Sequence, residues 1–309
     1  MKLKKIICLN FSGSELTDTY WSELDRFAEK RVLATENDIK KHTEADALLV
    51  KLGAKIGKDI IDKFPKLKYI GMLGTGYGGI DVKYASQKDI AVTNIADYAT
   101  EGVAEFTFGI LLEYLRSITK AKSQAKKGNY SDDFSGSEVK GKTFGVLGLG
   151  HIGLRTAELA HAFGANVIYW SRNRKKDTEQ KGIKYSNSVL SESDIITINL
   201  ALNSKTENYL NASRIESIKN GAIVINPSPM ELIDFTALIS RLKKGDITFM
   251  LDHSDEMTKE QLVALRPFDN CVVYPPIAYL TAEASKLKEC IYIDNIKNFL
   301  TGKPTNKVN

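Results

Sequence analysis

At 309 residues the chain is long enough for two domains. Its 43% hydrophobic and 26% charged content excludes a disordered polymer. The net charge of +5 is spread as lysines, densest at Lys2–Lys5 and Lys120–Lys127, which read as solvated faces rather than a nucleic-acid surface. Three cysteines far apart (Cys8, Cys271, Cys290) lack disulfide or metal spacing, and no apolar run reaches signal-peptide or transmembrane length. The expectation is a cytoplasmic protein with no nucleic-acid, membrane or metal partner.

In chain order, the apolar runs Ile6–Leu9, Ala47–Val50, Tyr69–Leu73 and Ile90–Thr93 predict strands, with helices such as Tyr20–Lys30 and Lys58–Lys63 between them. One long helix is predicted over Ala104–Ala125, followed by a polar connection, Ser131–Gly141. Six further strands are expected at Thr143–Leu147, Asn166–Trp170, Ile195–Leu200, Ala222–Ile225, Ile247–Leu251 and Cys271–Tyr274, then a final helix, Thr281–Leu300. Such alternation of β-branched runs with helices predicts parallel sheets covered on both faces.

Within this pattern, Gly148-x-Gly150-x-x-Gly153 closes the apolar run Thr143–Leu147 and opens a helix-like stretch to Phe163. Strand, glycine turn, helix and strand in that order form a dinucleotide fingerprint. The glycines permit a tight bend and close approach to a pyrophosphate, and the helix N-terminus offers N–H groups to it. Gly148, Gly150, His151, Ile152 and Gly153 are therefore expected to bind coenzyme. Gly74-x-Gly76-x-x-Gly79 fits the same expression, but a strand follows too soon and ends in Thr93-Asn94, with no charged residue where a ribose contact would fall, so it reads as a tight turn. After the second strand of the fingerprint unit, where a carboxylate would take the ribose hydroxyls of NAD, the chain has Ser171-Arg172-Asn173-Arg174-Lys175-Lys176. A small hydroxyl beside basic residues suits a 2′-phosphate, so NADP(H) is favoured over NAD(H), with Ser171, Arg172 and Arg174 as its contacts.

From about Asp46 to Ala284 the chain resembles the D-isomer-specific 2-hydroxyacid dehydrogenases. The likeness rests on Gly74–Asp81, on Val92-Thr93-Asn94 through Gly102–Glu105, and on Gly148–Gly153. It continues through Ser193–Ile196 and Thr206, Val224-Ile225-Asn226, and Ile233-Asp234 with Ala237-Leu238. The resemblance implies an α/β protein of two doubly wound parallel-sheet domains. A Rossmann nucleotide-binding domain (98–282) would be inserted in a flavodoxin-like substrate domain (1–97 plus 283–309). It also implies a homodimer, a small-molecule substrate or effector in an interdomain cleft, and coenzyme contacts from Asn226 and Asp252.

The resemblance breaks at the catalytic positions. Pro229 stands where the family has a carboxylate-gripping arginine, and Pro276 where it has a proton-donating histidine. Counting from Asp252, Met257 falls where a supporting glutamate belongs. Proline carries neither an ionisable group nor an N–H. Substitute catalytic residues are sought in His253, Asp255, Lys51 and Tyr98. Three functions remain open on this basis: an oxidoreductase with an altered substrate, a non-catalytic nucleotide-binding member with a regulatory or partner-binding role, and an interaction protein without a ligand.

Overall fold

Short Ile-, Val- and Leu-rich runs become parallel strands in the computed structural model, which describes residues 2–51 and 53–309. The chain divides into two units, Met1–Tyr98 with Thr281–Asn309, and Ala99–Leu280.

The first unit contains β1 (Leu3–Leu9), α1 (Asp18–Phe27), β2 (Ala28–Ala34), β3 (Ala47–Lys51), α2 (Lys58–Ile61), β4 (Tyr69–Leu73), α3 (Val82–Gln87) and β5 (Ala91–Thr93). Its five strands lie in the order β2-β1-β3-β4-β5, every pair parallel. This is the flavodoxin-like order, in which the winding reverses between β1 and β3. The predicted helix Tyr20–Lys30 is corrected: α1 ends at Phe27 and β2 starts at once. That strand hides in the sequence because it is an edge, where Glu29, Lys30 and Arg31 blunt the unpaired side. The Gly74–Gly79 segment is a turn. Its Gly79 packs so closely that a β-carbon would lie 2.2 Å from the Ala54 carbonyl, and Asp81 then caps α3.

In the second unit, α4 (Thr100–Arg116) and α5 (Ile118–Lys126) precede β6 (Thr143–Leu147), α6 (His151–Ala162), β7 (Asn166–Trp170), α7 (Lys176–Glu179), β8 (Lys184–Tyr185) and α8 (Val189–Glu192). Next come β9 (Ile195–Ile198), α9 (Ala212–Glu216), β10 (Ile223–Asn226), α10 (Phe235–Lys244), β11 (Thr248–Leu251), α11 (Lys259–Leu265) and β12 (Cys271–Val273). The order β12-β11-β10-β9-β6-β7-β8 is the Rossmann arrangement, with the reversal between β6 and β9. The single helix expected over Ala104–Ala125 is two helices, broken where Ser117 takes a left-handed φ of 49°. No side chain of α5 is buried, so its lysines meet no packing constraint.

The final helix, α12 (Ala282–Leu300), belongs to the first unit. Tyr292 is fully buried there and donates to the Gly71 carbonyl at 3.2 Å. Glu289 accepts the N–H (2.8 Å) and hydroxyl (3.1 Å) of Thr17, placing an anion at the N-terminus of α1. All three cysteines are free, and burial pushes the Cys8 and Cys271 thiols up to about 12, so neither forms a thiolate at neutral pH. Among the described residues, no helix is long and apolar enough to cross a membrane.

One buried cation ties the second unit together. Arg241 of α10, only 3% exposed, donates to the carbonyls of Glu216 (3.0 Å) and Ile218 (2.8 Å) and pairs with Asp246 at 2.9 Å. Arg241→Ala strands those acceptors and should cost about 2–4 kcal/mol in urea unfolding followed by circular dichroism. A loss near zero would mean that water replaces the guanidinium.

Candidate functional site

The three glycines after β6 are required for three different reasons. Gly148 adopts φ +95°, and a β-carbon there would sit 2.5 Å from the Asn199 carbonyl oxygen. At Gly153 a β-carbon would sit 1.9 Å from the Gly148 carbonyl oxygen, so only hydrogen lets α6 pack against the turn. Gly150 is the opposite case: a β-carbon there would meet no protein atom within 4 Å. Space beside the middle glycine is what a phosphate approaching the backbone needs. His151, exposed, and Ile152, half-buried, form the first turn of α6, whose leading N–H groups have no acceptor within the helix.

Beyond β7, the fully buried Tyr169 organises the basic loop. Its hydroxyl accepts the Lys175 N–H at 2.7 Å and donates to Glu179 at 2.9 Å. Ser171 is 9% exposed and donates to the Asn173 carbonyl at 2.7 Å. Arg174, also expected to bind the coenzyme, is held by Glu179 in a two-pronged pair at 2.7 and 2.6 Å and lies over the Tyr185 ring. A guanidinium so engaged buttresses the loop. Arg172, Lys175 and Lys176 are exposed and make no ion pair among the described residues, so the loop keeps these three cations available.

At the ends of the neighbouring strands, two buried oxygens have no donor. Asp252, after β11 and 3% exposed, accepts the Ala278 N–H on Oδ2 at 3.0 Å, while its Oδ1 has no partner. Burial pushes its carboxyl above the ordinary value, although the His253 ring and the Ala278 N–H pull the other way. Asn199, after β9, directs its amide nitrogen to Thr197 at 3.2 Å and leaves Oδ1 unpartnered. Its β-carbon would lie 3.3 Å from one at Gly153, so it stands beside the glycine turn. Sequence reasoning missed Asn199; its place one residue past a central strand, in a sheet reversing at β6 and β9, was the signal. Asn226 was expected to contact coenzyme; in this structure its amide is engaged by the chain itself. It is fully buried, its amide donates to the Ser228 carbonyl (2.9 Å) and its oxygen takes the Ser228 N–H (3.3 Å), shaping the turn that carries Pro229.

The candidate acids and bases are dispersed. His253 Nδ1 lies 3.1 Å from the Glu256 carboxylate. Burial works against a charged ring, but the Glu256 hydrogen bond and charge, with Asp252 and Asp255 nearby, outweigh it and hold the pKa above the ordinary 6.5. Glu256 is thus the carboxylate that supports a histidine in this loop, whereas Met257 is buried in the core. Asp255 is exposed. In the first unit, Lys51 at the end of β3 pairs with Glu15 at 2.6 Å, and Tyr98 packs half-buried against that unit's core.

The family model described as "D-isomer specific 2-hydroxyacid dehydrogenase, NAD binding domain" matches residues 108–278. The chain is 36% identical over 278 residues to D-3-phosphoglycerate dehydrogenase of Methanocaldococcus jannaschii, covering 88% of this chain but only 53% of that longer protein. It is 33% identical over 287 residues to glyoxylate reductase of Aeropyrum pernix, covering 89% and 86% of the two chains. Among solved structures, D-lactate dehydrogenase from Aquifex aeolicus, complexed with NAD and lactic acid, superposes with a TM-score of 0.85 at 26% identity, covering 96% of each chain. The acyclic imino acid reductase Bsp5, in complex with NADPH and D-Arg, also gives 0.85 at 28% identity, covering 98% of this chain and all of that one. The chain belongs to the D-isomer specific 2-hydroxyacid dehydrogenase family. Its second unit is a nicotinamide-dinucleotide-binding domain of the oxidoreductase type.

Two measurements test this geometry. Gly150→Ala should leave the melting temperature unchanged but weaken coenzyme binding about tenfold or more in a fluorescence titration, whereas Gly153→Ala should lower the melting temperature as well. Equal behaviour of the two variants would refute the division of roles. For His253, a folded pKa above 6.5 means that its pairing stabilises the protein fully below 6.5 and fades as pH rises through the folded value. The unfolding free-energy gap between the protein and Glu256→Gln should therefore be widest in mild acid and close in alkali. A gap that widens with pH would contradict the pairing.

Proposed function

We propose that the chain is an NADP(H)-dependent oxidoreductase of the D-2-hydroxyacid dehydrogenase type whose substrate is not a standard 2-keto acid. One juxtaposition carries this reading. The coenzyme side has open space at Gly150 and an unpartnered Asp252 Oδ1, while proline occupies positions 229 and 276. A decayed domain would have no reason to keep a buried carboxylate oxygen without a donor, since that costs about 1–3 kcal/mol unless a ligand supplies one.

The residues present fit a nicotinamide dinucleotide. The Gly148–Gly153 turn with the first turn of α6 would hold the pyrophosphate, Ser171 and Arg172 the adenosine ribose and its phosphate, and Asp252 and Asn199 the amide and hydroxyl donors. When bound, a reduced coenzyme of this kind supplies a hydride to an unsaturated carbon. His253, whose charged form Glu256 favours, is the titratable group nearest in the chain to Asp252. Lys51, shared with Glu15, stands at the end of β3 beside the winding reversal of the first sheet, where open α/β sheets take ligands. Preference for NADP(H) rests on the uncharged Ser171 and the unpaired Arg172. The two solved relatives carry NAD and NADPH, so likeness alone does not choose. The imino acid reductase among them gives a precedent within this fold for reduction at a carbon bound to nitrogen. A homodimer and a cytoplasmic setting belong to the same proposal and rest on family likeness.

The second reading, a nucleotide-binding member without catalysis, is favoured by the paired prolines alone. Titration with NADPH separates the readings from a ligand-free protein. Binding is expected, and Ser171→Asp should weaken NADPH about 10- to 100-fold relative to NADH by setting a carboxylate against the 2′-phosphate. Glyoxylate reduction should be slower than in arginine- and histidine-bearing relatives by about 10²-fold or more, and Pro229→Arg with Pro276→His should recover part of it. Absence of binding to either reduced coenzyme would end the proposal.

A further inference from the structure

Resting on the oxidoreductase reading above, we infer that the substrate is a cation, a protonated imine whose C=N carbon is reduced to an amine. The charge at one edge of the second sheet carries the inference. The six residues that follow β10 (227–232), β11 (252–257) and β12 (274–279) hold four acids, Glu231, Asp252, Asp255 and Glu256, one histidine, His253, and neither lysine nor arginine. These segments are neighbours. Asn226 is in register with Leu251, Leu251 with Val273, the Tyr274 N–H donates to the Leu251 carbonyl, and the Ala278 N–H donates to Asp252. With Pro229 in place of an arginine, this edge repels a carboxylate and attracts a positive charge. Asp252 Oδ1 is the acceptor assigned above to the coenzyme, so Asp255 and Glu231 carry the attraction for a substrate cation, Glu256 being offset by His253.

The chemistry agrees with the electrostatics. Reduction of a carbonyl builds negative charge on oxygen, which needs an acid and an oxyanion partner at the moment of transfer. A protonated imine needs neither. Its carbon accepts the hydride pair from a reduced nicotinamide, the C=N π pair becomes the nitrogen lone pair, and the product is a neutral amine with no proton drawn from the protein. The positive charge passes from substrate to oxidised coenzyme, so atoms, electrons and charge balance. Both groups that proline replaces, an anion clamp and a proton donor, are dispensable for this substrate and for no 2-keto acid.

The test uses the full chain with NADPH and three preformed substrates: 1-pyrroline, glyoxylate and acetaldehyde. We expect kcat/KM for 1-pyrroline to exceed that for glyoxylate at least 100-fold. Asp255→Asn with Glu256→Gln should lower the 1-pyrroline value about tenfold, mainly through KM, and leave NADPH affinity unchanged. Independently of turnover, calorimetry on the NADP-loaded protein should detect binding of pyrrolidinium and none of oxamate. Glyoxylate or acetaldehyde reduced as fast as 1-pyrroline, oxamate bound in preference to pyrrolidinium, or bound NADPH with 1-pyrroline inert would each overturn the inference while leaving coenzyme binding intact. Failure of NADPH to bind would instead remove the oxidoreductase reading, and the inference with it.

Discussion

The 1.9 Å gap between a β-carbon at residue 153 and the carbonyl oxygen of Gly148 governs the second unit. Because only hydrogen fits, α6 can start directly beneath the turn and run back along β6. Its N-terminal amides then face the sheet's carboxyl edge. That edge is also where the winding reverses between β6 and β9, leaving a crevice without a covering helix. One steric fact therefore fixes the helix direction, the dipole that meets a phosphate and the site where a dinucleotide can lie.

Tyr169 extends the constraint to the loop that follows β7. Its ring is fully buried, yet its hydroxyl reaches past the strand end to an amide and a carboxylate. A buried phenol needs such partners, and here they belong to the loop that follows Ser171. Glu179 takes both Tyr169 and Arg174, so the loop is tied down at two points while Arg172 stays exposed. Desolvation drives the packing, and the hydrogen bonds to Glu179 remove Arg174 from the cations available in the loop.

Much of this was legible in the sequence, for physical reasons that can be named. Strands buried on both faces announce themselves as apolar runs, so β4, β6 and β7 were located to the residue. The edge strands β2 and β8 do not: β2 carries three consecutive charged residues, and β8 is two residues long. The break at Ser117 was invisible because serine is no strong helix breaker and the apolar spacing runs on around it. At the site, the glycine turn was readable because it is local in sequence. The roles of Asn199, Arg174 and Asn226 were not, because each depends on a partner brought close by the fold or by a side-chain rotamer. Charge type at positions 172–176 suggested two arginines for a phosphate; only geometry shows one of them taken by Glu179.

Satisfied and unsatisfied hydrogen bonds divide the sheet's edge into finished structure and surface prepared for a ligand. The turn bearing Pro229 is finished. Asn226 closes it from below, and the Ser228 hydroxyl donates to the Ile198 carbonyl at 2.8 Å. Pro229 itself has φ −53°, near the value its ring imposes, so it sits in this turn without strain. Asp252 and Asn199 are the contrary case, each with a buried oxygen lacking a donor on strands flanking that same turn. Among the described residues, these unpartnered oxygens just past β9 and β11 stand on either side of β10, where donors from a ligand would complete them.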